Sequence, residues 1–151
     1  MISKGSILIV DDEAGPRESL RMILKPIYEV HTAQNGQEAI TFISQKKVDL
    51  VTLDLNMPGL PGIEVLKKIQ KLQPDIKVII VTGYGTLGNA REAIRYGAGN
   101  FISKPFNVAD IIAIVSKVFE QHIYNMKIKD LIQQIQGLRS SSGENKEILP
   151  R

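Results

Sequence analysis

The 151-residue chain contains no cysteine and no tryptophan, and little net charge of either sign. Without cysteine there can be no disulfide, no thiolate nucleophile and no thiolate-held metal. Aromatic residues make up only 5%, and 19 Lys and Arg against 16 Asp and Glu leave a net charge of +3. No basic run is longer than Lys46-Lys47 or Lys67-Lys68. Together with the missing tryptophan, this argues against direct nucleic-acid binding by this domain. Long apolar runs are also missing: 7–10, 76–81 and 111–115 are far too short to cross a bilayer. The first ten residues lack a signal-peptide pattern, so the expectation is a cytoplasmic protein without membrane contact. What remains, 43% hydrophobic and 23% charged residues, suits one ordinary globular domain with some chain to spare.

Five short apolar segments punctuate the first two-thirds of the chain: 6–10, 28–32, 50–53, 77–81 and 100–103. Between them lie stripes at helical spacing: Leu20, Ile23 and Leu24; Ala39, Ile40 and Ile43; Ile63, Leu66 and Ile69; Ala90, Ala93 and Ile94. Strands alternating with helices of this length predict an α/β domain, a doubly wound five-stranded parallel sheet with helices on both faces. Ile7-Leu-Ile-Val10 and Val78-Ile-Ile-Val81 suit central strands buried on both sides. Such sheets bind ligands at the carboxyl ends of their strands.

From Ile111 a helical pattern runs on without proline or glycine as far as Gly137. Within it Tyr124, Ile128, Leu131, Ile135 and Leu138 repeat at intervals of four, three, four and three, a heptad seam. The spacing suits a coiled-coil linker that forms a homodimer, or a last helix that overruns its domain. The expected organisation is a domain over 1–121, a helical extension over 122–139 and a flexible tail over 140–151.

The strand ends carry the chemistry. Asp11, Asp12 and Glu13 follow the first strand, Asp54 ends the third, and Thr82 and Lys104 end the fourth and fifth. A lone aspartate at such a place is commonly a helix cap. Thr82 alone reads as a cap for the helix after Gly85, Lys104 as a surface lysine, and Asn56 as an ordinary turn residue. Reactive groups on four strands at one sheet edge exceed what capping requires. Carboxylates gathered there repel one another unless a cation sits among them, and oxygen donors with open positions suit Mg²⁺.

These residues, taken with their neighbours, resemble the receiver domain of bacterial two-component response regulators. The matching pieces are Ile7-Leu-Ile-Val-Asp-Asp-Glu13, Ala33-Gln-Asn-Gly-Gln-Glu-Ala39, Leu53-Asp-Leu-Asn-Met-Pro-Gly59, Val81-Thr-Gly83, Gly97-Ala98 and Phe101-Ile-Ser-Lys-Pro-Phe106. The resemblance implies a flavodoxin-like fold in which Asp54 accepts a phosphoryl group from the phosphohistidine of a sensor histidine kinase. It implies that Asp11, Asp12, Asp54 and the Asn56 carbonyl hold Mg²⁺, with Asp12 a direct ligand. Lys104 and Thr82 would contact the phosphoryl group, and Phe101 would be a switch aromatic, where residue type alone suggests a core side chain. The Lys104-Pro105 bond would be cis, and the face of the fourth helix, fifth strand and fifth helix would change shape to control a partner or effector domain. Self-phosphorylation and autodephosphorylation would be its only chemistry, with no external substrate. Thr82-Gly-Tyr-Gly-Thr86 further resembles receivers of the sigma-54 activator type, implying transcription regulation through an effector domain missing from this sequence. Pro61 departs from the aspartate frequent in the family before Gly62, which points to an altered loop after Asp54.

Competing patterns fare worse. Gly83-Tyr-Gly-Thr-Leu-Gly88 matches a dinucleotide fingerprint, but no acidic residue lies about 20 positions on to hold a ribose. Asp54 and Asn56 begin like a calcium loop, yet the twelfth position is Val65. His31 and His122 stand apart in sequence and suggest no catalytic set. Two other classes compete with the switch: an aspartyl-phosphate phosphatase, which would carry its nucleophile after the first strand, and a receiver-like interaction module that does not switch.

Overall fold

The apolar runs 7–10, 50–53 and 78–81 become strands buried on both faces because helices cover them on either side. The computed structural model describes residues 5–83 and 87–141. Along them β1 (Ser6–Val10), α1 (Ala14–Leu24), β2 (Glu29–Ala33), α2 (Gly36–Gln45), β3 (Leu50–Leu53), α3 (Gly62–Leu72), β4 (Lys77–Thr82), α4 (Leu87–Arg95), β5 (Asn100–Ser103) and α5 (Val108–Ser141) follow in turn. The strands form one parallel sheet in the order β2-β1-β3-β4-β5.

Alternation along the strands sorts the core into two layers. Leu8, Val10, Val51, Leu53, Val78 and Ile80 pack with Ala39 and Ile43 of α2, Val65, Leu66 and Ile69 of α3, and Ala93 of α4. Ile7, Ile9, Leu50, Ile79 and Val81 point the other way, onto Leu20 and Leu24 of α1 and Ile111, Val115 and Phe119 of α5. Both layers are closed, so β1, β3 and β4 tolerate no polar side chain within the layers without a partner. Thr52 breaks that pattern: its Oγ1 is buried and has no hydrogen-bond partner.

Three elements differ from the sequence expectation. The second strand begins at Glu29 rather than Tyr28, because the Tyr28 amide donates to the Leu24 carbonyl (2.9 Å) and closes the end of α1. β4 extends to Thr82, whose carbonyl accepts from the Lys104 amide at 2.8 Å. Ile94, counted in the buried stripe of the fourth helix, is 53% exposed. Ala93 makes that helix's core contact, and Ile94 lies about 100° further round.

Local chemistry sets the helix starts. Asn35 accepts from the Glu38 amide at 2.8 Å while the Glu38 carboxylate accepts from the Gln34 amide at 3.1 Å, so the acidic side chain reaches back as in a capping box. Asn107 and Asp110 share a similar pairing at the start of α5. Pro61 precedes α3 with φ −57° and gives no side-chain bond to its first turn. Gly59 has φ +88°, which an L side chain resists, and a Cβ on Gly62 would lie 2.6 Å from the Leu55 backbone.

The chain divides into two compact units between Phe119 and Glu120. In the second unit α5 continues through Gly137 to Ser141, entering the stretch expected to be tail. Residues 142–151 of that expected tail, and 84–86 of the glycine-rich stretch after Thr82, lie outside the described residues. Among the described residues no helix is long and apolar enough to cross a membrane.

Candidate functional site

Parallel pairing brings the ends of four adjacent strands together. β1, β3, β4 and β5 are neighbours in the sheet, so Asp11, Asp54, Thr82 and Lys104 converge at its carboxyl edge. The Asp11 and Asp54 amides continue the ladder, donating to the Ala33 and Val10 carbonyls at 3.1 and 3.0 Å. Both aspartates are therefore fixed by backbone before their side chains make any contact.

Asp54 is buried and each of its oxygens is engaged. Oδ1 accepts from Thr82 Oγ1 at 3.0 Å and from the Asn56 amide at 2.9 Å. Oδ2 accepts from Lys104 Nζ at 3.0 Å. Lys104 also reaches Asp11 Oδ2 at 2.7 Å and Glu13 Oε1 at 3.4 Å. One ammonium thus bridges two buried carboxylates and one exposed carboxylate. The Lys104-Pro105 peptide is cis, as the resemblance implied.

The electrostatics follow from that geometry. Burial holds the Asp11 carboxyl above the ordinary carboxylate range, and the charge of Asp54 adds to the effect. Hydrogen bonds from Lys104 and from the Glu13 amide offset only part of it. Burial by itself would lower the pKa of Lys104; its hydrogen bonds and charge interactions with Asp11 and Asp54 outweigh that and hold the ammonium above the usual lysine value. The site is an acidic pocket neutralised in part by one lysine.

Asp11, Asp12, Glu13 and Asp54 each place a carboxylate oxygen within 4.8 Å of the others, a cluster that could hold a metal ion. Asp12 and Glu13 are exposed, so the cluster has an open side. Its donors are all hard oxygens, which fits Mg²⁺ better than a softer metal. A cavity of about 500 Å³, with Glu13, Pro16, Gly83 and Phe106 among its walls, opens beside Lys104.

The other expected residues fall at different distances from this centre. Asn56 is exposed in the loop after Asp54 and touches it through its backbone amide. Phe101 is half-buried on β5, paired with Ile80, against the layer formed with α2 to α4. His31 lies away from the pocket, bonded to Glu29 at 2.9 Å and with its ring tilted against Phe42. Glu13, noted after the first strand beside the aspartate pair, joins the carboxylate cluster and contacts Lys104. One contributor was not singled out from the sequence. Arg17, on the first turn of α1, donates from Nη1 to the Asp11 carbonyl at 2.9 Å and steadies the β1–α1 loop. A single arginine one turn into a helix gives almost no signal in sequence.

The chain resembles known proteins in sequence and in fold. The model of the response regulator receiver domain matches residues 7–116. Sporulation initiation phosphotransferase F of Bacillus subtilis is 39% identical over 112 residues, covering 74% of this chain and 90% of that protein. The chemotaxis protein CheY of Thermotoga maritima is 40% identical over 114 residues, covering 74% and 95%. Among solved structures, NtrX from Brucella abortus in complex with ADP superposes with a TM-score of 0.80 at 32% identity. That match covers 86% of this chain and only 30% of the NtrX chain, so the matched region is one part of a longer protein there. The match over residues 7–116 and the shared parallel fold show that this chain belongs to the response regulator receiver domain family.

Proposed function

We propose that this receiver domain accepts a phosphoryl group on Asp54 from the phosphohistidine of a sensor histidine kinase and works as a phosphorylation-dependent switch. The observation that carries the proposal is the engagement of Asp54 by two side chains that can move: Lys104 on Oδ2 and Thr82 on Oδ1. Phosphoryl transfer depends mostly on in-line positioning and charge neutralisation. An Asp54 oxygen attacks phosphorus, an O–P bond forms, the N–P bond breaks, and the leaving imidazole takes a proton from solvent. Lys104, already bridging Asp54 and Asp11, neutralises charge on the incoming phosphoryl oxygens. Thr82 exchanges its bond to the carboxylate for one to a phosphoryl oxygen.

Asp11, Asp12, Asp54 and the Asn56 carbonyl would hold Mg²⁺, with Glu13 beside them. When bound, the ion supplies positive charge opposite the transferring oxygens. The movement of Thr82, followed by Phe101 behind it on β5, is the differential contact a switch requires. The face of α4, β5 and the first part of α5 would then alter to control an effector domain. Regulation of transcription is the output favoured by the similarity to longer proteins named as transcriptional regulatory proteins. A second copy of the chain, joined through α5, would be a further partner. Turnover would be limited to phosphorylation and dephosphorylation of the domain itself.

The test is incubation with acetyl phosphate and Mg²⁺ followed by intact mass measurement. Asp54→Asn abolishes labelling, whereas Asp110→Asn, a change in the first turn of α5, leaves it intact.

A further inference from the structure

Glu13 is the N-cap of α1, yet its side chain makes no capping bond to that helix. Its backbone is fixed without it: the amide donates to Asp11 Oδ1 at 2.9 Å, and the carbonyl accepts from the Arg17 amide at 3.2 Å. The side chain, 64% exposed, turns instead to Lys104 Nζ at 3.4 Å. It also borders the cavity of about 500 Å³ beside Lys104, where Pro16, Pro105 and Phe106 are apolar walls. Lys104 is only 13% exposed and already shared between Asp11 and Asp54, so the charge facing solvent beside it is negative.

Asp54 is 2% exposed at the closed end of the pocket, so the leaving group of an in-line phosphodonor lies on the open side. Donors differ in the charge they bring there. In the transition state a protonated nitrogen leaving group, as in phosphohistidine or phosphoramidate, still carries positive charge. The leaving group of an acyl phosphate carries negative charge as it becomes a carboxylate. A carboxylate at the pocket mouth lowers the first barrier, counted from free reactants, and raises the second.

We propose that Glu13 is a specificity-determining residue that favours donors with a protonated, phosphorylated nitrogen and disfavours acyl phosphates. This assignment rests on Asp54 as the phosphoryl acceptor and deepens that reading by naming the donor class. With either donor an Asp54 oxygen forms the new O–P bond. Phosphoramidate releases ammonia with the electrons of its N–P bond, and acetyl phosphate releases acetate with those of its own O–P bond. Glu13 forms no bond and gives up no proton.

The test is the second-order labelling constant of the full chain with phosphoramidate and with acetyl phosphate, read by intact mass at saturating Mg²⁺. Glu13→Gln keeps the shape, removes the charge and loses no cap. It is expected to speed labelling by acetyl phosphate about threefold and slow labelling by phosphoramidate about threefold, moving their ratio about tenfold. Glu13→Lys should carry the ratio further in the same direction. Added salt should narrow the difference between wild type and variant, because the charge is exposed. Calorimetric titration of both proteins with Mg²⁺ separates donor selection from metal binding. An unchanged ratio, with or without weaker Mg²⁺ binding, overturns the role of Glu13 and leaves Asp54 standing as the acceptor. A ratio moved toward phosphoramidate does the same. A wild type labelled by neither donor overturns both.

Discussion

Asp49 and Asp54 border the same strand, β3, and do opposite work. Asp49, at its start, accepts from the Ser6 amide at 2.9 Å and the Ser6 hydroxyl at 3.3 Å, joining β1 to β3 at the amino edge of the sheet. Asp54, at its end, is held largely by the side chains of Lys104 and Thr82. A main-chain amide within a folded sheet cannot turn to a new partner, but an ammonium and a hydroxyl can. The difference separates a carboxylate that fastens the fold from one that is available for chemistry, although residue type alone would not distinguish them.

Substitutions at the two ends should therefore separate activity from stability. Lys104→Met is expected to have the largest effect, slowing labelling by acetyl phosphate about 100-fold. Circular dichroism in the presence of Mg²⁺ should show the fold retained. At the other edge Asp49→Ala costs about 2 kcal/mol, because the Ser6 donors lose a charged acceptor. Urea denaturation should report that loss, while the labelling rate stays within about twofold of wild type. If Asp49→Ala slowed labelling as much as Lys104→Met, the contrast between the two edges would fail.

The middle of β3 allows a finer test. Thr52 lies between the two aspartates with its hydroxyl buried and unpaired, so Thr52→Val should raise stability by about 1 kcal/mol without altering labelling. The smallest effect concerns pH. Asp11 has its pKa raised in the folded protein, so its contribution favours folding below its unfolded value and is lost as pH rises through the folded value. Asp11→Asn in metal-free protein should accordingly raise the melting temperature at pH 7. That gain should fade on acidification, once Asp11 in the wild type is protonated. A gain that grew at low pH would reverse the assigned sign.

Much of this was legible in the sequence for identifiable reasons. The central strands stand out because burial on both faces demands unbroken runs such as Ile7-Leu-Ile-Val10, and their ends place Asp11, Asp54, Thr82 and Lys104 at one edge. The start of β2 was displaced by one residue because the end of α1 is fixed by a Tyr28 hydrogen bond that no apolar pattern records. Arg17 and Gln73 were not legible at all. The Gln73 side chain ties the Val48 amide to the Ile43 and Lys46 carbonyls, contacts that depend on three elements arriving together. Hydrophobic period reveals layers; it carries little about polar side chains that bond to distant backbone.

The central claim is that Asp54 is the phosphoryl acceptor of this domain. Intact mass measurement of wild type and Asp54→Asn, each incubated with acetyl phosphate and Mg²⁺, tests it most directly. The prediction is one added phosphoryl group on the wild type, dependent on Mg²⁺, and none on the variant. An unmodified wild type, or equal labelling of both proteins, would contradict it.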